Sequence, residues 1–165
     1  MKKSSFTLAL MGVLLSITTQ FSFAGAIDGQ QFKDWQGRCQ VDLSKEFCFL
    51  LQGFSSDGRT PLMITTVDLA QHPKFPVVTL RVTTKLDPTK DIQFKVDKNK
   101  SIHLKAQCSE KECAIAFPLD KRMLSEFKRG ARGVLGFLAK ESGEAVYFPV
   151  SLSGFTKGLQ ALKKM

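Results

Sequence analysis

Ile102-His103-Leu104-Lys105-Ala106-Gln107-Cys108-Ser109-Glu110-Lys111-Glu112-Cys113-Ala114-Ile115-Ala116-Phe117 alternates apolar and polar side chains on both sides of a polar break. A turn over Ser109 to Glu112 sets Cys108 opposite Cys113, Ala106 opposite Ile115 and Leu104 opposite Phe117. These six side chains then share one apolar face, while His103, Lys105 and Gln107 take the other. A slip of one residue would turn the apolar set outward and part the cysteines, so pattern and pairing support one register. The segment is expected to form an antiparallel hairpin closed by a disulfide, because directly opposed strand residues have the separation that such a bridge requires.

The same period of two recurs elsewhere. Val78, Leu80 and Val82 alternate with Thr79, Arg81 and Thr83; Ile92, Phe94 and Val96 alternate with Gln93, Lys95 and Asp97. Each series reads as a half-buried strand. A turn over Glu141 to Glu144 places Leu135, Phe137 and Ala139 against Val150, Phe148 and Val146. A turn over Asp42 to Lys45 opposes Cys39 to Cys48, with Trp35 and Leu50 on the cysteine face. Phe47, Phe49 and Leu51 load the opposite face, so that strand is either buried on both sides or presents an exposed apolar patch.

Two short helices complete the pattern. Asp120 caps one, with Met123, Leu124 and Phe127 inward and Gly130 at its end. Phe155, Leu159 and Leu162 mark the other at helical spacing, with Lys163 and Lys164 near its negative end. The fold class is all-β: an antiparallel β-sandwich or flattened barrel of eight or nine short strands, two short helices and two disulfides.

The compartment follows from the start of the chain. Lys2 and Lys3 precede an apolar run from Phe6 to Thr18, and Ser22 and Ala24 stand at −3 and −1 of a cut before Gly25. This is the layout of an export signal spanning residues 1–24, and the run is shorter than the roughly 20 residues a membrane span needs. A single domain over 25–165 is expected, with no transmembrane segment after signal removal, in the periplasm first and at the outer surface or in the medium otherwise. An oxidising compartment and the lack of CxxC spacing disfavour a Cys₄ zinc site or a redox pair, so Cys39, Cys48, Cys108 and Cys113 read as two structural bridges.

Charge is distributed unevenly. The chain carries a formal net charge of +9, yet 25–94 holds eight basic and eight acidic residues while 95–165 holds fourteen basic and seven acidic. That asymmetry fits either simple solubility or an anionic partner such as an envelope lipid or glycan.

The order of several short motifs is familiar. Phe32-Lys33-Asp34-Trp35-Gln36-Gly37-Arg38-Cys39 is followed by Cys48, then Cys108 and Cys113, the leucine/basic helix ending at Gly130, and Val150-Ser151-Leu152-Ser153-Gly154-Phe155. Across almost all of 25–165 the chain resembles the invasion-associated locus B family of bacterial exported proteins. The resemblance implies a mostly β domain with both disulfides, in the periplasm or at the outer surface, and members linked to entry into host cells. It transfers no catalytic residues. One departure lies at Thr83-Thr84-Lys85-Leu86-Asp87-Pro88, where a Leu-Pro-Leu-Gly-like bend is expected.

No local pattern carries chemistry. His103 falls on a polar strand face and His72 precedes Pro73 in a loop, and no nucleophile motif accompanies either. Metal signatures and glycine-rich phosphate loops are missing, so no metal or cofactor is expected and the protein reads as non-enzymatic. Trp35 reads as a core plug beside Cys39. The anion or partner candidates are Lys121, Arg122, Lys128 and Arg129 on the first helix, with Arg132 joining them if the chain folds back. Export and the absence of exposed stacking aromatics with these cations set nucleic acid aside. Phe47, Phe49 and Phe54 offer the second surface, for a protein partner of a chaperone or inhibitor.

Overall fold

A computed structural model of the protein describes residues 27–42 and 45–165; the expected export signal lies outside them. Eleven strands form: β1 Gln31–Phe32, β2 Trp35–Asp42, β3 Lys45–Phe54, β4 Met63–Asp68, β5 Val77–Val82, β6 Ile92–Val96, β7 Ile102–Leu104, β8 Gln107–Cys108, β9 Cys113–Pro118, β10 Arg132–Leu138 and β11 Ala145–Ser151. Helix α1 spans Lys121–Arg129 and α2 spans Phe155–Leu162. Nine strands have three residues or more; β1 and β8 are two-residue additions at the edges of the larger sheet.

All described pairings are antiparallel. One sheet runs β1-β2-β3-β4-β5-β9-β8 and the other β11-β10-β6-β7. Alternation places Leu50, Val67, Leu80 and Ile115 of the large sheet and Phe94, Leu135 and Val150 of the small one inside, each fully or almost fully buried. The helices close one end of this core. Ring contacts run Phe117–Phe94 at 5.2 Å, Phe94–Phe127 at 5.7 Å, Phe127–Phe155 at 5.3 Å and Phe155–Trp35 at 5.8 Å. A continuous row of aromatics therefore links both sheets to both helices.

The sheets are joined at the β3–β11 seam by a side chain rather than by strand pairing. Gln52 Oε1 accepts from Ser151 N at 2.8 Å, and its Nε2 donates to Ser151 O at 3.2 Å and to Asp34 O at 3.0 Å. Trp35 Nε1 donates to the same Ser151 carbonyl at 2.9 Å. On β11 the outward-turned backbone belongs to alternate residues including Ser151 and Pro149. Ser151 is claimed by Gln52, and Pro149 has no N–H to offer, which blunts this edge against pairing with other chains.

Both disulfides form, Cys39–Cys48 and Cys108–Cys113. Cys39 opposes Cys48 and Cys108 opposes Cys113 in register. Cys39 N–H turns away from β3 and is taken by Asp28 at 2.9 Å. The first bridge thus spans a pair that exchanges no backbone hydrogen bonds, the closer of the two antiparallel arrangements.

Two registers differ from expectation. The hairpin through 102–117 survives only at Gln107↔Ala114 and Cys108↔Cys113. Leu104 pairs with Ile92 and Ile102 with Phe94 in the other sheet, so Leu104–Phe117 and Ala106–Ile115 do not pair. Asn99 N donates to Val96 O at 2.9 Å in the turn that brings β7 back onto β6. The chain then changes sheets at Lys105–Ala106. In a sandwich both inner faces are apolar, so alternation alone cannot assign a strand to one sheet. In the β10–β11 hairpin Leu135 faces Phe148 and Phe137 faces Val146, two residues from the expected register. Gly143, at φ 70, closes a loop whose last contact is Ala139 N to Glu144 O at 2.9 Å. A shift of two keeps every side chain on its face.

Candidate functional site

Helix α1 forms as its residues suggest. Asp120 Oδ1 accepts from Met123 N at 2.7 Å at the N-cap, and Met123 and Phe127 are buried. Gly130 ends it for a steric reason rather than a left-handed one: its φ is −76°. A Cβ there would lie 2.4 Å from Val96 Cγ1 and 2.8 Å from Glu126 O. Beyond it Asp97, itself at φ 48, accepts from Ala131 N and Arg132 N at 3.0 Å each, fixing the corner into β10.

Positions 121, 122, 128 and 129 fall within an arc of about 100–120° on a helix, and all four side chains are exposed. Arg122 donates to Glu126 Oε1 at 2.8 Å. Lys121, Lys128 and Arg129 form no ion pair among the described residues. An open cleft of about 450 Å³ beside the helix is lined by Arg122 and Arg129 but also by Asp97 and Glu126. Its charges cancel, so the cationic character of α1 resides on its outward ridge rather than in this cleft. Asn99 lines the same cleft, which brings the exposed turn carrying Lys98 and Lys100 alongside the helix.

Arg132 lies elsewhere. It opens β10 opposite Ser151 and lines a different cleft, of about 710 Å³, with Lys33, Asp34, Gln52 and Phe54. The two clefts share no residue. Lys33 was not legible as a site residue because its position depends on a β1–β2 turn that carries no glycine signal.

Phe47, Phe49 and Leu51 resolve to the exposed alternative. On the outer face of the large sheet they line a groove of about 440 Å³ with Ile64, Ala70 and Arg81. Phe47 is 38% exposed and stacks on Phe49 at 6.0 Å between ring centroids. Phe54 instead packs on Phe148 at 5.3 Å, at the mouth of the Arg132 cleft.

The remaining candidates for chemistry are engaged structurally. His103 Nδ1 lies 2.7 Å from Asp91 Oδ1 on the surface. The Asp91 carboxyl is held below its usual range by the Gln93 amide and then by this imidazole. Asp57 is lowered to about 2 because the Ser55 hydroxyl and the Arg59 and Thr60 amides all donate to it. His72 Nδ1 accepts from Lys74 N and Phe75 N at 3.1 Å each. Cys39, Glu46 and Cys48 gather closely, but both sulfurs are spent in the disulfide, which leaves no thiolate for a metal. No helix among the described residues is long and apolar enough to cross a membrane.

Comparison with known proteins agrees with the fold. The crystal structure of invasion associated protein B from Bartonella henselae superposes with a TM-score of 0.71 at 21% identity, covering 82% of this chain and 94% of that one. No curated protein sequence gives a match. The profile described as Invasion associated locus B (IalB) protein matches residues 35–163. On that span, which contains both cysteine pairs, the helix/Gly130 corner and the closing Ser-Leu-Ser-Gly-Phe, the chain belongs to the invasion-associated locus B family.

Proposed function

We propose that the protein is an exported, non-enzymatic envelope or host-interaction protein that binds an anionic surface component through the outward ridge of α1. The observation that carries this reading is the placement of charge on that helix. Its first turn holds Lys121 and Arg122 and no acid. A helix N-terminus is the positive end of the backbone dipole, so cations there oppose stability by roughly 0.3–1 kcal/mol each. Lys128 and Arg129 at the other end suit the dipole, but Lys121 and Arg122 do not, and only Arg122 has an acidic partner. Positive charge retained where it disfavours the helix is positive charge available to a ligand.

The test uses vesicles of phosphatidylglycerol and of phosphatidylcholine with oxidised protein at low and high salt. Binding to the anionic vesicles alone, lost in high salt and in the variant with Lys121, Arg122, Lys128 and Arg129 all changed to Glu, supports the proposal. Equal binding by that variant sinks it.

A second reading rests on the groove at Phe47, Phe49 and Ile64, which suits a protein partner of the kind a periplasmic chaperone or inhibitor recognises. It predicts partner binding that salt leaves unchanged and that Phe47→Ala abolishes.

A further inference from the structure

The two short motifs that frame the chain, Phe32-Lys33-Asp34-Trp35 and Ser151-Leu152-Ser153-Gly154-Phe155, meet in space. Ser151 Oγ donates to Asp34 Oδ2 at 2.5 Å, and Asp34 N donates to Ser153 O at 3.4 Å. Gly154, at φ 91, lies so close that a Cβ would fall 1.8 Å from Phe32 O. Lys33, Asp34 and Ser151 of this junction line the 710 Å³ cleft together with Gln52 of the seam.

Two cations line this cleft. Neither the Lys33 nor the Arg132 side chain makes an ion pair or side-chain hydrogen bond among the described residues, and both are exposed. Lys33 is held at φ 56, at the first of the two β1–β2 turn residues. Glycine is the usual residue there, and a lysine costs about 1–2 kcal/mol in that conformation. The cleft holds one acid, Asp34, which accepts the Ser151 hydroxyl, against the two cations, so its lining keeps a net positive charge. Phe54 and Pro149 supply apolar surface in the same lining as the Gln31 amide, while both Gln52 N–H donors are held by the seam.

From this arrangement we infer that the cleft is a binding site for an acidic saccharide. Its volume falls within the roughly 300–1,000 Å³ of small-ligand sites. One or two sugar rings lie against Phe54 and Pro149, a hydroxyl meets the Gln31 amide, and the carboxylate or phosphate sits between Lys33 and Arg132. Arginine suits such an anion because its guanidinium forms two parallel hydrogen bonds. The site is separate from the α1 ridge and does not depend on it.

Amide chemical shifts of the oxidised full chain, titrated with glucuronate, glucose 6-phosphate and glucose, test the inference. Movement of the Lys33–Trp35, Gln52–Phe54 and Ala131–Arg132 amides by either acid, with glucose at least tenfold weaker, is the expected result; which acid binds tells carboxylate from phosphate. Lys33→Gly, which fits the backbone, and Arg132→Gln should each weaken binding about tenfold or more, while Arg132→Lys retains part of it. The α1 charge-reversed variant should bind as the parent does. No movement at the cleft, equal binding of glucose, or binding unchanged in Arg132→Gln overturns the inference. So does movement confined to Lys121–Arg129, an outcome that would leave the α1 proposal standing.

Discussion

Gln52 shows how much one residue can decide. Strand β3 and strand β11 belong to different sheets, and β3 already pairs with β2 and β4. A side-chain amide offers two N–H donors and a carbonyl acceptor, and Gln52 presents one donor and the acceptor to the C=O and N–H of Ser151 as a strand would. Gln52→Ala leaves the half-buried Ser151 N–H without its partner. A lost hydrogen bond with a desolvated donor left unpaired costs about 1–3 kcal/mol. Chemical denaturation should show a loss of about 2 kcal/mol, with the Trp35 fluorescence transition moved to lower denaturant. Trp35 still donates to the Ser151 carbonyl at 2.9 Å in the parent, so the seam should loosen rather than open. Gln52→Glu is the informative companion, because it keeps the acceptor for Ser151 N–H while removing the donor to Ser151 O and Asp34 O.

At the scale of elements, the disulfides fasten two hairpins of different character. Cys39–Cys48 spans two long strands with seven paired positions. Cys108–Cys113 holds β8, whose only pairs are Gln107↔Ala114 and Cys108↔Cys113. Each bridge closes a short loop worth about 2–3 kcal/mol in the chain-entropy model. Replacing Cys108 and Cys113 by Ala should cost about that much and release β8 from the edge, read as fast hydrogen exchange at Gln107 and Ser109. Replacing Cys39 and Cys48 should cost a similar amount but leave β2–β3 exchange slow near Leu50, since the ladder persists. The cysteine registers were legible because the opposed thiols and the apolar pattern constrain the same residues. The destination of Ile102 to Leu104 was not. Two sheets offer equivalent inner faces, and the turn after Val96 that returns the chain to β6 has Asp97 rather than a glycine at positive φ, so it left no signal in the sequence. The β10–β11 register failed for a related reason: Gly143 needs the last loop position, and a shift of two residues leaves no trace in an alternating pattern. Lys33 and Arg132 stand 99 residues apart in sequence, so only folding could show that they share a cleft.

For the whole molecule, stability and surface charge are largely separable. Core apolar side chains from both sheets and both helices are buried together, whereas the α1 cations touch little of that core. Reversal of Lys121, Arg122, Lys128 and Arg129 to Glu therefore acts on the fold mainly through the helix dipole and one ion pair. Acids at 121 and 122 become favourable at the positive end, and acids at 128 and 129 become unfavourable at the negative end, each by roughly 0.3–1 kcal/mol. Loss of the Arg122–Glu126 pair adds a few tenths to about 1 kcal/mol, the range for exposed pairs spaced by one helical turn. The dipole terms oppose one another, so the variant should unfold within about 1–2 kcal/mol of the parent by denaturant titration. Separate reversal of each end should split the effect: Lys121→Glu with Arg122→Glu close to neutral, because the dipole gain is offset by the lost ion pair and by repulsion between the new carboxylate at 122 and Glu126, and Lys128→Glu with Arg129→Glu destabilising by about 1 kcal/mol. A quadruple variant that fails to fold would mean that α1 holds the core through its basic face, and binding losses measured with it would then say nothing about a ligand. A quadruple variant that folds with the parent's stability and loses anionic vesicles would place the cost of Lys121 and Arg122 in the service of binding.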